Sequence, residues 1–224
     1  MAIVRATVAN VEALAAWMQT NMTPNIFKSV TYADSVLTAT DSEDNTVLTI
    51  NGGNGAGSSG FFRAYRAASN SLGFALNLFP VSTQISIIGC DNGFIFEANV
   101  RNSSGSERLF ACLISKTNNG KAAIIFPSTP PTTTSSPQQR TTGLHHVAFG
   151  DSETIATTTT FTPESAQQNC LVPFATNANI GDTSYTPYAY YIAMGTNYAM
   201  GFGKFEMGDS VYISNGYWAI REGS

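Results

Sequence analysis

Charged side chains are scarce in this sequence. They make up 12% of its 224 residues, against roughly 25% in an ordinary soluble domain. The 11 basic and 15 acidic residues leave a net charge of −4, and no two basic residues are adjacent. Nucleic-acid binders concentrate Lys and Arg, because phosphate neutralisation drives their affinity, so no nucleic-acid partner is expected. Thr, Ser, Asn and Gly take the place of the missing charge. A polar but uncharged surface repels its own copies weakly, which points to assembly.

Cysteine is sparse too. Cys90, Cys112 and Cys170 form no C-x-x-C, and an odd, scattered set is not a disulfide framework. Buried free thiols are expected, with one bridge only if the protein matures outside a cell. The two histidines, His145 and His146, are adjacent. Neighbours on a strand point to opposite faces, and no third ligand stands at a zinc spacing. No apolar run approaches the roughly 20 residues of a membrane span. The opening segment, MAIVRATVANVEALAAWMQTNM, is interrupted by Asn10 and Glu12, unlike the apolar region of a signal peptide. Synthesis and assembly in a cytoplasm, with no membrane partner, are the expectation.

Glycine, by contrast, invites a specific question. Gly55, Gly57 and Gly60 fit G-x-G-x-x-G after a strand-like run. A dinucleotide cradle needs a helix next and an acid about 20 residues on. Here Phe61-Phe62-Arg63-Ala64-Tyr65-Arg66 follows, which suits a strand, and position 80 is Pro80. The P-loop Lys-Ser/Thr ending is also missing. A surface connection is expected, with no cofactor.

Hydrophobic residues reach 43%, enough for one large β domain or two small ones. Val8, Val11, Leu14, Trp17 or Met18, and Met22 recur at helical spacing, so the first element reads as a helix. Asn10 is its N-cap, Glu12 lies in its first turn, and Thr23-Pro24 ends it. Beyond Pro24 the period becomes two. Strands are expected over 26–32, 36–40, 46–51, 74–79, 147–149 and 154–161, with extended structure from Leu171 to Phe174 and a turn or short helix from Pro163. Asp41 to Asn45 forms a turn. Asp91-Asn92-Gly93 and Asn118-Asn119-Gly120 mark two hairpins, since Asn-Gly supplies the positive φ of tight turns.

Residues 127–143, PSTPPTTTSSPQQRTTG, hold four prolines and a single charge, Arg140. This segment reads as a linker or an extended arm. It separates a helix-plus-hairpin part, 1–126, from an aromatic β part, 144–224, the two sharing one globular body. The fold class is mainly β, an antiparallel sandwich or distorted barrel with one N-terminal helix and about a dozen strands.

Candidate chemistry is thin. Ser152 lies near the histidines without a G-x-S-x-G elbow, and Cys170 could pair with a histidine. Glu97, Glu107, Asp182, Glu206 and Asp209 could include a glycosidase pair. The aromatic C-terminal part offers Tyr190, Tyr212 and Trp218 as core, subunit-interface or glycan-stacking residues.

The segment FGKFEMGDSVYISNGYWAIRE, with Gly208, Tyr212, Ser214, Asn215, Gly216, Tyr217 and Trp218, resembles the C-terminal end of small virion structural proteins of tailed bacteriophages and prophages of gut bacteria. The helix leading to NIFKSV, the ISKTNNGKAAII hairpin and LVPF are similar as well. The resemblance covers about half the chain in patches. It implies a non-enzymatic particle component of the tail, baseplate, neck or capsid surface, located in the virion. Its partners would be copies of itself and other virion proteins. It assigns no functional residues. The alternatives are a β module binding a surface glycan or receptor, and a glycan or cell-wall hydrolase.

Overall fold

A computed structural model of the chain describes residues 3–52, 60–66, 71–102, 107–118, 120–127, 144–149, 155–158, 170–173, 188–193, 202–216 and 218–223. The fold is mainly β and antiparallel, with one helix among the described residues. The described residues form three open sheets, none of which closes into a barrel.

The first element is a strand, not the expected helix. β1 (Val4–Val8) alternates half-buried and exposed residues and pairs with β7 (Leu78–Cys90) at the sheet edge. Val8, which also fits the helical spacing, belongs to this strand. Helix α1 (Val11–Met22) then starts at Asn10, whose Oδ1 accepts a hydrogen bond from the Ala13 amide at 2.8 Å. Glu12 sits in its first turn and Thr23 caps its end. Its buried stripe is Val11, Leu14, Ala15, Trp17, Met18 and Met22.

One five-stranded sheet is the meander β2 (Ser29–Ala33), β3 (Val36–Thr40), β4 (Thr46–Asn51), β5 (Phe61–Arg66) and β6 (Ser71–Leu76). The Phe61–Arg66 segment is thus a strand between two others, so no helix follows the glycine motif. Gly55 and Gly57 lie outside the described residues. The β2–β3 turn was not legible as such. Asp34 and Ser35 take φ 51° and 65° between paired Ala33 and Val36, the two positive angles of a type I′ turn made without glycine. The β3–β4 turn is the expected one. Asp41 is buried and accepts from the amides of Glu43 and Asn45, both at 2.9 Å.

The expected strand 74–79 divides at Asn77, where the chain passes from β6 into β7 of the central sheet. That sheet has seven strands, ordered β1, β7, β8 (Gly93–Asn102), β9 (Glu107–Lys116), β10 (Ala122–Pro127), β11 (Leu144–Phe149) and β12 (Ile155–Thr158). Strands β10 and β11 are direct neighbours, Phe126 opposite His146. The Pro-rich segment therefore connects adjacent strands of one sheet, and residues 128–143 lie outside the described part.

The third sheet is ordered β13 (Cys170–Pro173), β14 (Ala189–Ala193), β17 (Trp218–Arg221), β16 (Ser210–Asn215) and β15 (Phe202–Met207). The turn or helix expected from Pro163 falls outside the described residues.

Through Ile87–Cys90, Phe94–Phe96, Phe110–Ile114 and Ala122–Phe126 the central sheet is buried on both faces, and period-two alternation does the sorting. Phe94, Phe96, Phe110, Cys112, Ile114, Ile124 and Phe126 pack with α1 and β2–β5. Ile88, Cys90, Ile95, Ala111, Leu113, Ala123 and Ile125 pack with Ala189, Ile213, Trp218 and Ile220 of the third sheet. Unbroken apolar runs such as Ala122–Phe126 are what two-faced burial requires. The result is a three-layer stack. On the helix side, the Trp17 ring packs against Phe94 with centroids 5.4 Å apart. It also lies so close to Gly89 that a Cβ there would meet the indole at 2.8 Å.

Two hairpins organise the central sheet. Asp91 and Asn92 form the two-residue loop between paired Cys90 and Gly93. The sequence expectation gave the Asn-Gly pair a turn role through positive φ. Asn92 does not take a positive φ. Gly93 does, at φ 154°, and its Cα also abuts the Ile114 backbone of the next strand. The second hairpin loops from Thr117 to Lys121, with Gly120 at φ 82°.

Candidate functional site

The resemblance motif folds into the hairpin β16–β17, in the middle of the third sheet. Its polar residues hold the turn together. Ser214 Oγ accepts from the Gly216 amide at 2.8 Å, and Asn215 Oδ1 accepts from the Trp218 amide at 2.9 Å. Gly216 takes φ 92°, in the region that disfavours side chains. Asn215 is buried, and its Nδ2 donates to Glu97 Oε1 of the central sheet at 2.7 Å. One amide therefore closes a turn and joins two layers. Hydrogen bonds to a carboxylate are worth more than neutral ones, about 1.5–3 kcal/mol.

A second seam joins the same layers at the Asp91-Asn92 turn. Asn92 Nδ2 donates to the Arg221 carbonyl at 2.9 Å. The Tyr188 amide donates to the Lys116 carbonyl, and the Arg221 amide donates to the Tyr188 carbonyl, both at 3.0 Å. On the other side of the central sheet, Lys121 Nζ pairs with Glu43 Oε1 at 2.8 Å. Each layer is thus tied to the next by polar contacts as well as by packing.

The three aromatic candidates separate. Trp218 is 3% exposed and packs between the central and third sheets, which makes it core. Tyr190 and Tyr212 lie on the opposite face of the third sheet, with Leu171, Ile192, Phe205 and Ala219. Tyr212 is buried, Tyr190 half-buried. Tyr190 meets Tyr212 edge-on with centroids 5.7 Å apart, and Phe205 stacks on Tyr212 at 5.2 Å. Burial, with Tyr212 beside it, raises the Tyr190 phenol above its ordinary value.

The carboxylate candidates do not share one element. Glu97 lies between sheets, while Glu206 and Asp209 are exposed at the β15–β16 hairpin. Glu107 pairs in register with Arg101 on β8, and Asp182 lies outside the described residues, as does Ser152. His145 and His146 occupy successive register positions on β11, opposite Pro127 and Phe126. Among the described residues, no group of three or more His, Cys, Asp and Glu side chains could hold a metal. None of the described helices is long and apolar enough to cross a membrane.

Cys90 and Cys112 are free thiols buried on opposite faces of the central sheet. Burial pushes the Cys90 thiol up to about 11 and raises Cys112 well above its ordinary value. Thiolates are the reactive form, so both should resist Ellman's reagent in the native protein and react on unfolding. The sign for stability follows from linkage. The folded-state value lies above the ordinary 9.0, so the contribution is complete below pH 9 and is lost as pH rises through about 11. Urea midpoints measured from pH 7 to pH 11 should fall at the alkaline end, and replacing Cys90 with Ala should flatten that fall.

Sequence reasoning missed the linking role of Asn215. The available signal was an Asn-Gly pair after the β-rich run Val211-Tyr212-Ile213, which marks a turn stabilised by the Asn side chain. With the fold and these contacts in place, no family model, no curated protein and no solved structure matches this chain.

Proposed function

We propose that this chain is a non-enzymatic structural subunit of a bacteriophage particle, acting by oligomeric assembly with copies of itself and other particle proteins. The observation that supports this reading most is the work done by the S-N-G-x-W motif. Its side chains hold a hairpin and tie the third sheet to the central one, so the residues that carry the virion resemblance serve architecture. Stacked sheets with low surface charge suit a subunit whose function is contact. The particle context comes from the resemblance, and the tail, baseplate, neck and capsid surface are its candidate positions.

Light scattering on the intact protein, together with fractionation of purified particles, tests the proposal. A defined oligomer that also co-purifies with particles is expected. A chain that stays monomeric at high concentration and never joins particles overturns it.

A second reading, recognition of a surface glycan, draws on the Tyr190–Tyr212–Phe205 cluster outside the third sheet. The half-buried Tyr190 offers an apolar ring with a polar tip, as sugar stacking uses. On a glycan array, loss of binding by Tyr190→Ala at unchanged stability would favour it over assembly alone.

A further inference from the structure

We infer that strand β15 is a self-association edge, through which two copies join their third sheets across a two-fold axis at Phe205. The inference rests on the assembly reading and names the surface that assembly would use.

Strand β15 lies at the end of the third sheet, paired with β16 on one side. Among the described residues, no strand lies on its other side. An open edge offers a row of amides and carbonyls to another strand. The opposite edge strand, β13, includes Pro173, which has no amide to donate.

The outward-facing groups can be identified. The Val211 carbonyl accepts from the Glu222 amide at 2.8 Å, so it faces away from β15. Val211 is the register partner of Glu206. Their pair is therefore the non-hydrogen-bonded kind, and the Glu206 amide and carbonyl point to the open edge. Alternation along an antiparallel ladder gives Lys204 the same orientation.

Charge then selects the register. Lys204 and Glu206 are both exposed. In an antiparallel pairing of β15 with its own copy, residues 204 and 206 can exchange backbone hydrogen bonds only with outward-facing positions. Pairing Lys204 with Glu206 of the second copy sets opposite charges across from each other twice. Shifting by one step sets Lys204 against Lys204, which is repulsive. The favoured register places Phe205 opposite Phe205 as a close non-hydrogen-bonded pair. Each ring already stacks on Tyr212, so the two aromatic clusters would run together across the joint.

Sedimentation velocity over rising concentration tests this on the intact chain. Wild type should dimerise. Lys204→Glu and Glu206→Lys should each weaken the dimer roughly tenfold, and the double swap should restore it, because each like-charge pair loses an attraction and gains a repulsion. Both side chains are exposed, so thermal melts at dilutions where every variant is monomeric should match wild type. As an independent measure, Phe205→Cys in a Cys170→Ser background should cross-link two copies under mild oxidation, since Cys90 and Cys112 are buried. Association unaffected by either reversal, or without the cross-link, overturns this edge while leaving assembly through another surface standing. A wild-type protein that is monomeric throughout overturns the assembly reading itself, and this contact with it.

Discussion

Gly93→Ala should leave little native protein in urea titrations that the wild type survives. A Cβ at this position would sit 2.2 Å from the Ile114 carbonyl oxygen and 2.9 Å from Ser115 Cα. Both belong to the backbone of the neighbouring strand β9, so no rotamer change relieves the clash. Gly93 also takes φ 154°. The β8–β9 ladder would have to part, in a layer buried on both sides. A loss of more than about 4 kcal/mol is expected, in the range reserved for such steric mechanisms and a large share of a typical 5–15 kcal/mol stability. Gly120→Ala is the control. Its φ is 82°, but nothing lies within 4 Å of the added carbon, so only backbone strain of about 1 kcal/mol should appear. Equal losses at the two positions would mean that close approach is not what Gly93 provides.

Phe62→Ala should be the most damaging truncation on the helix side of the central sheet. Phe62 is 1% exposed. Its ring meets Phe126 edge-on with centroids 4.7 Å apart and Phe110 at 5.0 Å. Phe62 comes from the meander sheet, and both partners come from the central sheet. Truncation removes the ring and leaves a cavity at the joint of two layers, costing about 3–5 kcal/mol. Phe62→Leu keeps most of the volume and should cost less than about half of that. Because the layers share one core, urea unfolding followed by tryptophan fluorescence should stay a single transition with a lower midpoint. A split transition would show that the meander sheet unfolds by itself.

The helix, the Asp41 turn and the central hairpins were legible because each is specified locally. Asn10 caps with its own side chain, and Ala122–Phe126 has no polar residue to put in water. The unbroken apolar run Ala122–Phe126 fits burial on two faces, but nothing local in it says what covers each face. That information lies in contacts such as Phe62 with Phe126, far apart in the chain. β1 was hidden because Val8 satisfies both a strand period and the helical period of the segment after it. The Asp34-Ser35 turn was hidden because it uses positive φ without the expected glycine. At the candidate site, Trp218 and Tyr212 read alike in sequence as strand aromatics. Their opposite faces follow from register: six positions apart in sequence, they sit on neighbouring strands across a tight turn, and the turn residue count decides which way each points.

The order of strands in the third sheet has a consequence for biosynthesis. β17 lies between β14 and β16, yet the ribosome makes it after both. Until Trp218–Arg221 emerges, β14 and β16 have no common neighbour, and one face of the central sheet lacks the Trp218 and Ile220 that seal it. A nascent or prematurely terminated chain would therefore display a sticky apolar surface to chaperones and proteases. Only a polypeptide translated through β17 could hide it.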